Sequence, residues 1–255
     1  MADRAEMSRS FGAVAGVYES GRPEYPAEAV AWLLEPLGVG APRVIDVGAG
    51  TGKLTRAVEA AGAVVTAVDP DVEMLAELRR RSPRIETLVG TAEAMPVADA
   101  CVDAVVSGQA WHWVDPVAAA AEAARVLRPG GVLGLIWNVR DDRDPDVRRL
   151  TAIMHDSAAE ALVASGGPVA HPPFPGFERR TWEWTRPMSR RQLRDMVASR
   201  SSVITATAPV RDRILAEVDA LFDEVSVDER LALPYCTEAF RTRRPMRVSW
   251  PAPGR

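Results

Sequence analysis

Asp46, Gly48, Gly50, Gly52 and Asp69 have the residue types and the spacing to do chemistry together. The three glycines alternate through Gly48-Ala49-Gly50-Thr51-Gly52, directly after the apolar run Val44-Ile45-Asp46-Val47. Without a Cβ the backbone can take positive φ and let a ligand approach closely. A turn that opens a helix also leaves main-chain N–H groups aimed outward. A glycine turn alone suits a mere tight turn equally well, and three details add to it. Asp46 sits inside the strand end, where a bare carboxylate is costly without a partner. The spacing is G-x-G-x-G, unlike the G-x-G-x-x-G of dinucleotide enzymes. Asp69 ends the next apolar run, Val64 to Val68, 21 residues after Gly48. That spacing suits an acid that grips a ribose diol. Together these residues imply an adenosine ligand lying across strand ends.

The elements that must position them follow from periodicity. Val44 to Val47 reads as a buried strand, and Leu54, Ala57, Val58 and Ala61 recur at i, i+3, i+4 and i+7 of a helix. Upstream, Val30, Leu33, Leu34 and Leu37 mark a helix that ends near Gly38 and Gly40. Pro70 and Asp71 start a helix through Arg81, with proline in its first turn. Ile85 to Val89 and Val102 to Val106 are the third and fourth strands. Asp115-Pro116 caps a helix carrying Ala119, Ala123, Val126 and Leu127, which Arg128-Pro129-Gly130-Gly131 stops before a fifth strand, Val132 to Trp137. Strands alternating with helices predict an α/β fold with a doubly wound, Rossmann-like parallel sheet and helices on both faces. In such a sheet, ligands bind outside the carboxyl ends of the strands.

The ordered set V-I-D-V-G-A-G-T-G-K-L-T, A-V-D-P-D, G-T-A-E-A-M-P and V-L-R-P-G-G, within residues 43 to 137, resembles the class I S-adenosylmethionine-dependent methyltransferases. Tyr18 to Pro26 and Gln109 to Asp115 resemble a subgroup that methylates small molecules and includes relatives of trans-aconitate methyltransferase. The resemblance implies a seven-stranded sheet with its last strand antiparallel. It implies S-adenosylmethionine as cofactor, held by Asp46, Gly48, Ala49, Gly50, Gly52, Asp69, Pro70 and Met74, with Thr91, Ala92 and Glu93 meeting the adenine. Tyr18 and Arg22 would lie near the methionine end, on an N-terminal segment folded over the cofactor, and Gln109 would also touch it. Trp111 and His112 would line the acceptor pocket, with His112 the candidate base, although the two tryptophans around it could instead seal the sheet. The partner implied is a small-molecule methyl acceptor, with a carboxyl or hydroxyl oxygen favoured. A nicotinamide-dependent oxidoreductase and a non-catalytic adenosylmethionine-binding regulator are the competing readings.

Composition sets the bounds. The chain has 255 residues, 47% of them hydrophobic, which suits one α/β domain with additions. A formal net charge of -4 argues against a general nucleic-acid or membrane binder. Cys101 and Cys236 are far apart and read as small core residues; His112, His155 and His171 lack metal-ligand spacing, so no metal is expected. The absence of an apolar signal core or spanning run makes a cytoplasmic enzyme the default. The chain divides into a lid segment (1–28), a cofactor-binding core (29–137) and acceptor-side additions with the last two strands (138–255). Within the additions, residues 138–176 read as either a cover over the active site or a mobile surface loop. Thr181 to Thr185 alternates like a strand, Ser189 to Gln192 forms a capping-box pattern, Ile214 to Val225 is amphipathic, and Leu231 to Ala239 alternates as a last strand. Arg241, Arg243, Arg244 and Arg247 read as a solvated basic end.

Overall fold

The computed structural model describes residues 21–155 and 157–246; Tyr18, the helical spacing at Phe11 to Tyr18 and Arg247 lie outside them. A first helix, α1 (Ala27–Leu34), leads through a 3-10 turn (Glu35–Leu37) into the sheet. Then come β1 (Arg43–Val47), α2 (Lys53–Ala60), β2 (Val64–Asp69), α3 (Val72–Arg81), β3 (Glu86–Val89) and β4 (Val102–Gly108). A 3-10 turn (Trp111–Trp113) precedes α4 (Pro116–Val126) and β5 (Leu127–Arg140). The remainder comprises α5 (Pro145–Met154), α6 (Ala158–Ala164), β6 (Glu178–Met188), α7 (Arg190–Ala198), α8 (Ser201–Ile204), α9 (Ala208–Val225) and β7 (Leu231–Arg243).

The sheet order is β3-β2-β1-β4-β5-β7-β6. The first five strands run parallel, and β7 lies antiparallel between β5 and β6. Strand order reverses between β1 and β4, and that switch point opens a crevice at their carboxyl ends. Neighbouring residues of the central strands supply opposite faces. Val44, Ala104, Val106 and Ile136 pack with Leu33 of α1 and Leu54 and Val58 of α2. Ile45, Val105, Leu133 and Leu135 pack with Ala119, Ala123 and Val126 of α4. This two-sided burial is why the strands read as continuous apolar runs.

Helix starts follow the capping chemistry. Asp71 accepts from the amides of Glu73 and Met74, and Asp115 from those of Val117 and Ala118. Pro70 therefore precedes the cap of α3 instead of occupying its first turn. Ser189 and Gln192 form the expected reciprocal box at the start of α7.

The stretch after Trp137 departs from the sequence expectation. β5 continues to Arg140, and residues 145–164 hold two helices, capped by Asp144 and by a Ser157–Glu160 box. With α7, α9 and the start of β7, α5 encloses a third hydrophobic cluster around Leu150, Met154, Leu193, Val218, Phe222 and Leu233. This cover stands beside the carboxyl end of β5. The arginine-rich end is also different: β7 extends to Arg243, so Arg241 and Arg243 belong to the sheet. Arg241 stacks on Trp32 at 4.1 Å and pairs with Glu35 (2.8 Å) and Glu178 (2.9 Å). Arg243 donates to the Gly130 carbonyl at 3.0 Å. Among the described residues no helix is long and apolar enough to cross a membrane, and no cluster could hold a metal ion.

Candidate active site

The glycine turn holds three left-handed residues in alternation: Gly48 (φ +71°), Gly50 (φ +53°) and Gly52 (φ +88°). Two of them are also fixed by packing. A Cβ on Gly48 would stand 2.5 Å from that of Ala110, and one on Gly52 would stand 2.7 Å from Cγ of Leu78. Gly50 differs, because a Cβ there meets nothing within 4 Å and the residue lines a cavity. Gly48 and Gly52 thus shape the turn, and Gly50 presents bare backbone to the space above it.

Two carboxylates flank this turn. Asp69, at the end of β2, is 7% exposed; its Oδ2 accepts the Gly50 amide at 2.8 Å and its Oδ1 accepts the Asp71 amide at 2.8 Å. Burial outweighs these two bonds and raises its pKa to about 6. Asp46, at the end of β1, is fully buried, and its Oδ2 accepts from the Thr55 hydroxyl at 2.6 Å. Its Oδ1 has no partner among the described residues, and burial raises its pKa to about 7.

Residues 21–26 form a strap at the crevice, which Arg22, Pro23 and Tyr25 line together with the glycine turn. The Gly21 carbonyl accepts from Arg186 at 2.6 Å, and Arg22 donates to the Ser199 carbonyl at 3.3 Å. The Glu24 carbonyl accepts from the Asn138 side chain at 3.1 Å, and the Glu24 carboxylate pairs with Lys53 at 2.6 Å. Opposite the strap, Gln109 takes a left-handed φ of +57° just beyond β4. Its side chain donates to the Asn138 carbonyl at 2.7 Å. A non-glycine residue held there costs roughly 1–3 kcal/mol, a strain that concentrates at ligand sites.

The cavity between turn and strap is lined by Arg22, Tyr25, Asp46, Gly50, Gln109 and Asn138, among others. A second cavity shares the walls Arg22, Pro23, Gln109 and Asn138, and continues to Arg140, Glu160, Met196, Arg200 and Tyr235.

Of the residues singled out from sequence, Arg22, Asp46, Gly48, Ala49, Gly50 and Gln109 come together around the first cavity, and Asp69 meets it through the Gly50 amide. Pro70 and Met74 follow at the start of α3, with Met74 buried. Thr91, Ala92 and Glu93 form a turn after β3, closed by a Thr91–Ala94 bridge; Glu93 accepts the Asp115 amide at 2.8 Å and so ties that turn to α4. Trp111 is 5% exposed and packs in the core beside Val139, Ala159 and Val163, so it seals the sheet. His112 stands behind the cavities: its Nδ1 accepts the indole N–H of buried Trp137 at 3.4 Å. Sequence reasoning missed Lys53, Tyr25, Asn138 and the Arg140–Glu160–Arg200 cluster. Lys53 carries a signal in its place just after Gly52; the others are brought in by long-range packing.

The chain is similar to known methyltransferases in sequence and in fold. A methyltransferase domain family matches residues 45–135. An uncharacterized methyltransferase of Mycobacterium tuberculosis is 47% identical over 246 residues, spanning 93% of this chain and 97% of that protein. A malonyl-[acyl-carrier protein] O-methyltransferase of Enterobacter lignolyticus is 33% identical over 174 residues, spanning 63% of this chain and 69% of that protein. A solved structure assigned as a type II methyltransferase of Anaeromyxobacter dehalogenans superposes with a TM-score of 0.69 at 26% identity, covering 89% of this chain and 99% of that one.

Proposed function

The chain belongs to the S-adenosylmethionine-dependent methyltransferases, and from that premise we propose that it methylates a carboxyl or hydroxyl oxygen of a small-molecule acceptor, mainly by positioning. The residues fit the cofactor. Gly50 leaves room for an adenosine moiety, Asp69 offers its remaining lone pairs to a ribose diol, and Asp46 Oδ1 offers an unmet acceptor. Gln109 and the strap residues Arg22 and Tyr25 would enclose the methionine end. When bound, S-adenosylmethionine supplies a methyl group on a cationic sulfur that leaves neutral.

The protein's part is to hold the acceptor oxygen about 3 Å from that methyl group and in line with it. The second cavity, which shares Gln109 and Asn138 with the first, is the chamber that would do so. The observation that carries the oxygen reading is His112. An indole N–H can only donate, so Nδ1 of His112 accepts and the neutral ring keeps its proton on Nε2. In that tautomer Nε2 is a donor, not a base. An acceptor that already carries negative charge, a carboxylate above all, needs no base. The similarity to an enzyme named malonyl-[acyl-carrier protein] O-methyltransferase supports the choice of oxygen.

The test is a screen with methyl-labelled cofactor against carboxylic acids, phenols, alcohols and amines. Label should enter an oxygen acceptor, and alkali should release it as methanol from a carboxyl product. Transfer to amines alone, or binding without any turnover, would refute the reading; the latter would favour a regulator. In the same assay His112→Gln should change KM less than about tenfold and leave the shape of the pH profile. A loss of roughly 10²–10⁴-fold in turnover would make His112 the base.

Cofactor affinity should depend on pH through Asp69. Free protein protonates this carboxyl at about 6, whereas ribose hydroxyls donate to the ionised form. Affinity for S-adenosylhomocysteine should be level above pH 6 and fall by about tenfold per unit below it, with proton release on binding. Calorimetry in two buffers of different ionisation enthalpy measures both effects. An affinity independent of pH between 5 and 7 would remove Asp69 from the contact.

A further inference from the structure

Resting on the acceptor chamber just described, we propose that Arg140 and Arg200 form an oxyanion subsite, which binds a carboxylate or phosphate group of the acceptor remote from the atom that is methylated. Arg140 ends β5, Arg200 follows α7, and both line the second cavity. They are 8% and 4% exposed, so each guanidinium is withdrawn from water.

The charge count does not close among the described residues that line this cavity: the buried Arg140 and Arg200 stand against one carboxylate, Glu160. Glu160 is already saturated. Its Oε1 pairs with Arg140 at 2.8 Å, and its Oε2 accepts from Arg200 at 3.0 Å and from the Ser157 amide and hydroxyl at 2.8 Å each. Burial disfavours the Glu160 anion, yet Arg140 and Arg200 overcome it and hold the pKa at about 2. A single carboxylate shared by two buried guanidiniums leaves positive charge uncompensated, which is costly away from water.

The hydrogen-bond count leaves the same excess. Nε of Arg140 and Nε of Arg200 are buried donors without a partner among the described residues. Arg140 otherwise gives Nη2 to the Thr151 hydroxyl at 3.1 Å, and Arg200 gives Nη2 to the His155 carbonyl at 2.7 Å. On the same wall, the Tyr235 hydroxyl is directed at Met196 Sδ, 3.2 Å away, and a thioether is a weak acceptor. Two arginines that share one carboxylate and each keep an orphan N–H, and a tyrosine with an under-used hydroxyl, belong to the lining of one chamber. An oxyanion satisfies them together, since it accepts several charge-assisted bonds at once. Arg22, Pro23, Gln109 and Asn138 line both this chamber and the cofactor cavity, so the subsite would fix which end of an acceptor faces the methyl group.

The experiment is calorimetry on the full chain saturated with S-adenosylhomocysteine, with succinate, inorganic phosphate and succinamide as probes. At least one anion should bind saturably and succinamide should not; which anion binds separates carboxylate from phosphate. Arg140→Lys and Arg200→Lys keep the charge beside Glu160 but lack Nε. Each should weaken the anion about 10- to 100-fold while changing S-adenosylhomocysteine affinity less than about twofold. Thermal unfolding identifies any variant that fails to fold, and the other then carries the test. No binding of either anion by the wild type, or equal binding by a folded lysine variant, would reduce the cluster to an internal staple and overturn the proposal. Anion binding without methylation of any oxygen acceptor would leave the subsite standing and sink the oxygen-transfer reading instead.

Discussion

Replacing Asp69 by alanine should weaken cofactor binding by about 30- to 1,000-fold while leaving the ligand-free protein at least as stable as before. The binding loss follows from two charge-assisted hydrogen bonds to the ribose, worth roughly 1.5–3 kcal/mol each before water returns part of the sum, or about 2–4 kcal/mol net. The stability result runs the other way. A carboxyl held at about 6 instead of 3.8 means that the folded state carries roughly 3 kcal/mol of unfavourable charge at neutral pH. That penalty is full above pH 6 and fades as pH falls toward 3.8. Its source is burial, which the amides of Gly50 and Asp71 only partly offset. Removing the carboxylate removes the penalty together with those two bonds. Calorimetry with S-adenosylhomocysteine and thermal unfolding at pH 7.5 read the two quantities separately. Affinity within about twofold of wild type, or a Tm many degrees lower, would contradict the assignment.

Gly48 and Gly50 should respond to substitution in opposite ways, although they lie two residues apart in one turn. Gly50→Leu places its side chain into the cavity, where a Cβ meets nothing within 4 Å. The fold should lose only the left-handed penalty of about 1–2 kcal/mol, while cofactor affinity drops more than about 100-fold. Gly48→Ala adds one carbon, but 2.5 Å from the Ala110 Cβ, so the turn must shift against the loop after β4. Strain and overpacking together should cost roughly 2–5 kcal/mol of stability. Urea unfolding with cofactor titration on each variant is the measurement. Equal loss of stability in both, or retained binding in Gly50→Leu, would mean that the turn does not present Gly50 to the ligand.

What the sequence discloses about this protein is local. The strands β1, β2 and β4 stand out because both their faces are apolar, and α3, α4 and α7 because their caps are side chains next to the helices they start. The positions of Asp46, Gly50 and Asp69 were legible for the same reason: each falls at a strand end or in the turn that follows one. Arg140 and Asn138 were not, because nothing in the pattern after Trp137 says that β5 continues for three more residues. It continues because β7 pairs with it there, Asn138 opposite Thr237 and Arg140 opposite Tyr235, a contact spanning about a hundred residues. The arginines at the end of β7 misled in the same manner. Their charge reads as solvent-facing until Glu35, Glu178 and the Trp32 ring, each distant in sequence, are brought beside Arg241. Trp111 was ambiguous by its nature, since a large ring at a strand end serves a core or a ligand equally well.

The placement of β7 sets an order of maturation during synthesis. It follows every other described strand along the chain, yet it sits inside the sheet, hydrogen-bonded to β5 on one side and β6 on the other. The parallel half, β1 to β4 with the glycine turn and Asp69, uses contacts already present once β5 has emerged. β6 has no place to dock until Leu231 to Arg243 leaves the ribosome. The same is true of the cover's core, which needs Leu231, Leu233 and Tyr235 from that strand. A nascent chain would therefore hold a formed parallel half beside an unfinished one, with the long edge of β5 exposed to unwanted pairing until the final strand slots in.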